Sequence, residues 1–269
     1  KCIKNYLIDY GFYETINFPF ESKSKENSIK LDNPLDTNKS YMRNNLKQSL
    51  INNLLFNERR QNDTIKLFEI SDVYDDKDSI QKRRRLGIIA SGRQGKNYKE
   101  FSLKIDEKYF KDIINFFNGD YSLEYEKISR DSLDTKIKNE IFYIEIDLDL
   151  LTQKLTYKSK SSKLSEFISY KKISEYPSSY RDLSFSVKKY ENLENLQRII
   201  FNYKNSIVKD LFIFDYFKND KKNEIKIGFR FVFQSQEKTL KDEDINFVMN
   251  DIIQKSISLD GIAIPGLKK

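Results

Sequence analysis

The sequence contains no histidine and a single cysteine, Cys2, among its 269 residues. These absences remove a classical zinc site and any catalytic triad built on imidazole. One cysteine cannot form an internal disulfide, which fits a reducing compartment. No apolar run approaches the roughly 20 residues of a membrane span. Glycines are few and scattered: none of Gly11, Gly87, Gly92, Gly95 and Gly119 falls in a P-loop or a GxGxxG spacing. Carboxylates are many, yet no spacing singles out a general acid/base pair. No catalytic residue, metal site or bound cofactor is therefore expected in this chain. It opens at Lys1 already in a helical pattern and without a signal peptide, so it is expected to be a cytoplasmic piece of something longer.

Hydrophobic residues make up only 38 %, but 17 Tyr and 20 Phe supply much of the surface that a core can bury. Apolar periodicity persists almost throughout, which argues against disorder. The formal charge of +7 permits contact with nucleic acid without demanding it. The one tight basic run, Lys82-Arg83-Arg84-Arg85, reads as a solvated loop before a strand. Glu69 interrupts the apolar run Leu67-Phe68-Glu69-Ile70, and a charge so placed is expected to pair with a cation.

Helical spacing predicts a first helix over 1–14, on Ile3, Tyr6, Leu7, Tyr10 and Phe12, ending at Gly11-Phe12. Short strands are expected at 15–20 and 28–32. A second helix carries Leu46, Leu50, Ile51, Leu54 and Leu55 on one stripe. Strands over 64–74 and 86–90 follow, then a helix over 106–117, a strand over 141–146 and a short helix capped by Asp147 running to Leu155. The Lys- and Ser-rich stretch after it reads as a spacer. The domains are accordingly 1–160, a linker at 161–174, and 175–269.

The last domain has a β-α-β-β-α-β order: strand 182–188, helix 192–203, strands 207–217 and 225–233, helix 241–256 with a capping box at Thr239 and Asp242, and a terminal strand within 257–264. Two helices on one side of a four-stranded antiparallel sheet make the ferredoxin-like motif, whose other face is open. Strict alternation of Ile225, Ile227, Phe229, Phe231 and Phe233 toward the helices puts Lys226, Gly228 and Arg230 on the open face, together with Ser184 and Ser186. The strand 207–217 is ambiguous. Asp215 and Phe217 share one face, while Phe212, Phe214 and Tyr216 make an equally good core set. With Asp215 and Phe217 outward, the face offers a carboxylate to accept from base amino and imino groups. It also offers a ring to stack on an unpaired base, for about 1–3 kcal/mol, and cations for phosphates. Single-stranded RNA is read by such groups; an ordinary solvated sheet surface is the bland reading.

Eight segments in order carry a resemblance. They are Asp9-Tyr10-Gly11-Phe12-Tyr13-Glu14-Thr15, Leu31-Asp32-Asn33-Pro34-Leu35, Tyr41-Met42-Arg43-Asn44-Asn45-Leu46 and Asn57-Glu58-Arg59-Arg60. Leu67 to Tyr74, Tyr176 to Leu183, Leu211 to Phe217 and Phe233 to Glu243 follow. Together they resemble the C-terminal part of the bacterial phenylalanyl-tRNA synthetase β subunit, over about residues 1–260.

The resemblance implies an α+β chain: a class II synthetase-like antiparallel-sheet core without an active site, followed by a ferredoxin-like anticodon-binding domain. It implies a partner, the catalytic α subunit, met through Asn33, Pro34, Arg43, Leu46 and Leu50, in a heterotetramer of two α and two β. It implies binding of tRNA(Phe), with ATP and magnesium used by the whole synthetase. Carried over by position, Asp215 matches an aspartate that contacts the first anticodon base. Phe217 stands where the family usually has a stacking tyrosine. Arg181 matches an arginine opening the first strand of the domain, and Lys226 replaces a serine. Asp215, Phe217, Arg181, Ser184, Lys226 and Arg230 are thus the expected RNA-binding set. The stretch 119–140 is shorter and weaker than the family's usual histidine-proline and glycine-rich segment, the chain has no histidine, and the usual final arginine is missing. A reading of another class is a free-standing ferredoxin-like RNA-binding protein without a synthetase partner. The two differ over the apolar surface of residues 1–60, which a scaffold would bury against α.

Overall fold

The computed structural model describes residues 1–22, 28–76, 79–117, 123–151, 155–159, 170 and 172–266. It divides into two compact units, Lys1–Arg93 with Lys104–Glu166, and Gln94–Leu103 with Phe167–Lys269. Most of the expected linker, 161–174, lies outside the described residues, as does part of the 119–140 stretch. Among the described residues no helix is long and apolar enough to cross a membrane.

The first unit contains α1 (Cys2–Asp9), β1 (Tyr13–Glu14), β2 (Phe20–Glu21), β3 (Tyr41–Met42), α2 (Lys47–Arg59), β4 (Thr64–Asp76), β5 (Ile80–Gly92), α3 (Glu107–Ile114), β6 (Glu126–Ile128) and β7 (Ile141–Asp147). A five-stranded sheet runs in the order β1-β4-β5-β7-β6. The β1–β4 pair is parallel and the other pairs are antiparallel.

Alternation along these strands builds two cores, one on each face. Phe68, Leu86, Ile88, Phe142 and Ile144 meet Tyr6 and Leu7 of α1 and Phe110, Ile113 and Ile114 of α3. Leu67, Ile89, Ile141 and Tyr143 meet Leu46, Leu50, Ile51 and Leu54 on the α2 side. The α2 layer sits close because Gly87 has no side chain. A Cβ there would lie 2.7 Å from Leu50 Cδ1 and 3.1 Å from Leu46 Cβ. Gly87→Ala is therefore expected to lift α2 and to cost about 1–2 kcal/mol of stability through overpacking; a drop in the thermal unfolding midpoint checks it.

Several local expectations are corrected. The basic run lies inside β5, not in a loop. The facing strand supplies its acid: Asp72 takes Arg84 at 3.1 Å and Lys82 at 3.7 Å, and Glu145 on β7 takes Arg85 at 2.8 Å. In place of a strand at 15–20 there are the two-residue β1 and β2, and the 28–32 stretch contributes only the bridge Lys30 to Tyr41. The edge strand β6, three residues long, carries too short an alternation to register. Asp147 does cap, accepting from Asp149 N at 3.0 Å, but the turn it caps is a 3-10 helix over Leu148–Leu150.

The second unit contains β8 (Ser179–Val187), α4 (Glu191–Phe201), β9 (Val208–Asn219), β10 (Glu224–Phe233), α5 (Asp242–Ile257) and β11 (Ile262–Ala263). Its sheet runs β11-β8-β10-β9 with antiparallel pairs, the order of a ferredoxin-like fold. Phe185, Ile227, Phe229, Phe231 and Phe233 pack on Leu196 and Ile200 of α4 and on Ile245, Val248 and Ile252 of α5.

The start of α5 is fixed two residues later than Thr239 and Asp242 suggested. Lys241 is the N-cap residue, and Asp244 accepts from its backbone N–H at 3.0 Å. The ion-paired hydrogen bond from Lys238, then the backbone bond, hold the Asp244 carboxyl below the ordinary aspartate range. A lowered folded-state pKa gives stability that is present above the unfolded pKa and lost as pH falls through the folded one. Asp244→Asn should thus lower the unfolding midpoint at neutral pH and change little at a pH below that folded-state pKa. Calorimetry at the two pH values tests the sign.

Candidate nucleic-acid interface

The face of the second sheet away from α4 and α5 is built from cross-strand rows, three of which carry Asp215, Phe217 and Arg230. Strand register places Ser184, Gly228 and Asp215 side by side, then Ser186, Lys226 and Phe217, then Asp182, Arg230 and Phe212. Directly opposed residues in antiparallel strands share a face, and successive rows lie roughly 7 Å apart along the strands.

A β-bulge in β9 settles the ambiguity left by alternation. Gly228 pairs with Asp215, but the next residue, Phe229, pairs with Ile213, so Phe214 is the extra residue. A bulge resets the alternation by one. Before it, Leu211 and Ile213 point to the helices; after it Tyr216 does, opposite Ile227. Neither simple pattern holds. Phe212, Asp215 and Phe217 lie on the open face, and the Phe214 ring passes over Gly228. A Cβ on Gly228 would lie 2.7 Å from Phe214 Cζ and 3.3 Å from Asp215 Cβ.

Asp215 and Ser184 are exposed, as is Phe217 at 56 %. No ion pair or hydrogen bond joins the Asp215 carboxylate to another described residue. Lys226 is exposed next to Phe217, while Ser186 is buried and donates to Glu224 Oε1 at 2.5 Å. That hydrogen bond, then the charges of Lys226, Lys222 and Lys188, hold the Glu224 carboxyl below its usual value against partial desolvation.

Two expected RNA contacts are otherwise engaged. Arg230 makes a two-pronged pair with Asp182, both N–O distances 2.7 Å, and its guanidinium lies over the rings of Phe101, Tyr180 and Phe214, 4.7, 5.6 and 5.8 Å from their centroids. Arg181 stands opposite Phe231, on the helix side of the sheet, and its guanidinium reaches Asp242 at the start of α5. Alternation from Leu183 requires that side for Arg181. The expected interface residues divide similarly. Asn33 is exposed and Pro34 half-buried, but Arg43, Leu46 and Leu50 are fully buried inside the first unit. Leu46 and Leu50 pack on Gly87, and Arg43 faces Glu69, so none of the three is available to a partner. Large apolar side chains stand exposed elsewhere in the same stretch: Tyr13, Ile16, Phe18, Leu35 and Phe56.

Phe101 and Phe214 are the site residues that alternation does not find. Phe214 was hidden by the bulge. Phe101 lies in the polar segment Gln94–Leu103, where isolated aromatics at Tyr98 and Phe101 were the available signal.

Chemically, the face joins a carboxylate able to accept two hydrogen bonds, an exposed ring, a hydroxyl and one lysine around the Phe214 ring that covers Gly228. That combination suits an unstacked base and its backbone more than a duplex.

Residues 1–148 match the family described as phenylalanyl tRNA synthetase beta chain CLM domain. Residues 174–258 match the ferredoxin-fold anticodon binding domain. Among curated relatives, the phenylalanine–tRNA ligase beta subunit of Clostridium acetobutylicum is 25 % identical over 293 residues, covering 94 % of this chain and 36 % of the relative. That of Mycoplasma mycoides is 29 % identical over 301 residues, with the same coverage. The chloroplastic subunit of Pyropia yezoensis is 27 % identical over 290 residues, covering 94 % and 40 %. The chain spans a little over a third of the length of the first two of these relatives. With its longer part matched by one family and its ferredoxin-like unit by the other, the chain belongs to the phenylalanyl-tRNA synthetase beta chain family.

Proposed function

We propose that this chain serves phenylalanine–tRNA ligase as a non-catalytic β-subunit scaffold that pairs with the catalytic α subunit and binds the anticodon of tRNA(Phe). The observation that carries the RNA half is the β9 bulge, which brings Asp215 and Phe217 onto the open face beside Ser184 and Lys226. Asp215 accepts hydrogen bonds from the first anticodon base, and the Phe217 ring stacks on a base where the family's usual tyrosine would. Lys226 holds a phosphate. The first unit is a class II synthetase-like core; a largely antiparallel sheet with helices on both faces supports this reading. It contributes no catalytic residue, so ATP and magnesium are used on α, and the assembly is a cytoplasmic heterotetramer of two α and two β. The division into domains at 1–160 and 175–269 belongs to the same reading, with Gln94–Leu103 grouped in the second unit.

The α subunit docks on the exposed apolar side chains of residues 1–60. Ile16 is 93 % and Phe18 72 % exposed, and burying such large apolar side chains against a partner is favourable. A free-standing RNA-binding protein would have no use for this surface, and the relatives match along both units. Light scattering behind size exclusion, on the full chain mixed with the α subunit, tests the proposal. A complex with two copies of each is expected, with amino-acid activation present in it and absent from this chain alone. A chain that stays alone, or that activates phenylalanine unaided, would refute it.

A further inference from the structure

Phe101 stands out because it does not belong to the β-α-β-β-α-β segment at all, yet it is nearly buried, at 6 % exposure. Its ring lies 5.5 Å from Phe212 and 6.0 Å from Phe214, centroid to centroid, and the Arg230 guanidinium sits 4.7 Å over it. These are the residues that surround the bulge. We propose that Phe101 is a positioning residue for base recognition: its ring walls in Phe214 and Arg230 and so holds the β9 bulge in the register that presents Asp215.

The physical need is clear from the bulge itself. Two residues, Phe214 and Asp215, oppose the single Gly228, so the ladder is interrupted there and the register on its two sides must be held by packing. Sliding β9 by one residue would turn Asp215 and Phe217 toward the helices. What opposes the slide is the Phe214 ring, laid across Gly228 and enclosed by Phe101, together with Arg230, which is pinned by Asp182 on one side and stacked on Phe101 on the other.

Phe101 is itself held by a segment that closes on its own backbone. Gln94 N donates to Leu103 O at 3.0 Å, Phe101 N donates to Asn97 O at 2.8 Å, and the Asn97 side chain accepts from the N–H groups of Lys99 and Glu100. Lys96 pairs with Asp210 at 3.5 Å and Tyr98 meets Tyr216 at 5.5 Å, which anchors the segment along β9 on either side of the bulge. The arrangement also fills the Arg230 end of the face. Among the described residues the Arg230 side chain is therefore less open to a base than Asp215 and Phe217.

This inference rests on the anticodon reading above. The test is the ratio of affinities of the full chain for the cognate anticodon stem-loop and for loops substituted at the first anticodon base. Phe101→Ala should lower that ratio about tenfold, the size of one well-formed recognition contact, by weakening the cognate loop while leaving substituted loops nearly unchanged. Phe101→Tyr, which keeps the ring, should restore it. Phe101→Leu keeps the apolar anchor, and with it the folded segment, but loses the stacked ring; it should lower the ratio as well. An unchanged ratio in Phe101→Leu or Phe101→Ala, with a discriminating wild type, overturns the role of Phe101 alone. A wild type that does not discriminate overturns the anticodon reading and this inference with it.

Discussion

Asp215→Ala is expected to weaken binding of the cognate anticodon stem-loop by about 1–3 kcal/mol, the range for hydrogen bonds to a charged group. A loop with a substituted first base should lose far less. The asymmetry follows from the site. The carboxylate is exposed and joined to no other described residue, so removing it leaves no buried partner unsatisfied and does not disturb the core. The substitution should therefore act on recognition and not on folding, and the thermal midpoint of Asp215→Ala should match the wild type. Fluorescence anisotropy with the two loops supplies the cycle: variant against wild type, cognate against substituted. Equal losses on both loops would mean that Asp215 contributes charge and reads no base.

The largest stability effect is expected at the opposite kind of carboxylate. Glu69 and Arg43 are both buried; Arg43 Nη1 lies 2.9 Å from Glu69 Oε1, and the Arg43 side chain has no exposed surface. The charges are supported by neighbours. Asn17 Nδ2 donates to Glu69 Oε2 at 2.8 Å, and Arg43 Nε donates to the Asp72 carbonyl at 3.3 Å. The guanidinium is nevertheless incompletely satisfied: its contact with Glu69 is close but poorly aligned, and Nη1 and Nη2 have no aligned hydrogen bond among the described residues. Such a cation depends on its carboxylate for compensation. Glu69→Ala leaves it alone in the core and should cost about 3–5 kcal/mol, as breaking a buried pair does. Replacing both partners, Arg43→Met with Glu69→Leu, should recover most of that loss, because the desolvation of both charges is removed together. Denaturant unfolding of the single and double variants measures it. A mild effect of Glu69→Ala would show that water reaches Arg43.

Much of this architecture was legible in the sequence because it rests on periodicity. The stripe of α2, the alternation of β10 and the order of elements in the second unit all come from where apolar side chains recur. Glu69 announced a buried pair by interrupting an apolar run, although its partner, Arg43, was assigned to a subunit contact. That error is instructive. A helix stripe such as Leu46 and Leu50 has the same pattern whether it packs on a partner or on its own sheet. What decides is Gly87, whose missing side chain makes room for α2. Most of the exposed apolar surface, Tyr13, Ile16, Phe18 and Leu35, lies instead in the stretch before α2, where no helical period marks it; Phe56 lies on the outer side of α2 itself.

The candidate interface was half legible. Ser184, Lys226 and Gly228 follow from alternation alone. Asp215 and Phe217 required the bulge, and a bulge is a one-residue phase change that an alternating pattern of aromatics conceals. Arg230 was placed on the correct face but expected to hold phosphate. Its engagement with Asp182 is a cross-strand pairing, opposite in register, that single-strand alternation does not reveal. Phe101 depends on a contact across more than a hundred residues of sequence, and the isolated aromatics Tyr98 and Phe101 mark the segment without saying what it packs on.

The most direct test of the central claim is footprinting of carboxylates in the full chain, with and without tRNA(Phe), by carbodiimide labelling and mass spectrometry. The open face predicts that Asp215 labels readily in the unbound protein and is protected by the tRNA. Glu194 on α4 and Glu243 on α5, on the helix side of the same unit, should label equally in both states. Protection of Glu194 and Glu243 with Asp215 still reactive would place the RNA on the helices and contradict the account.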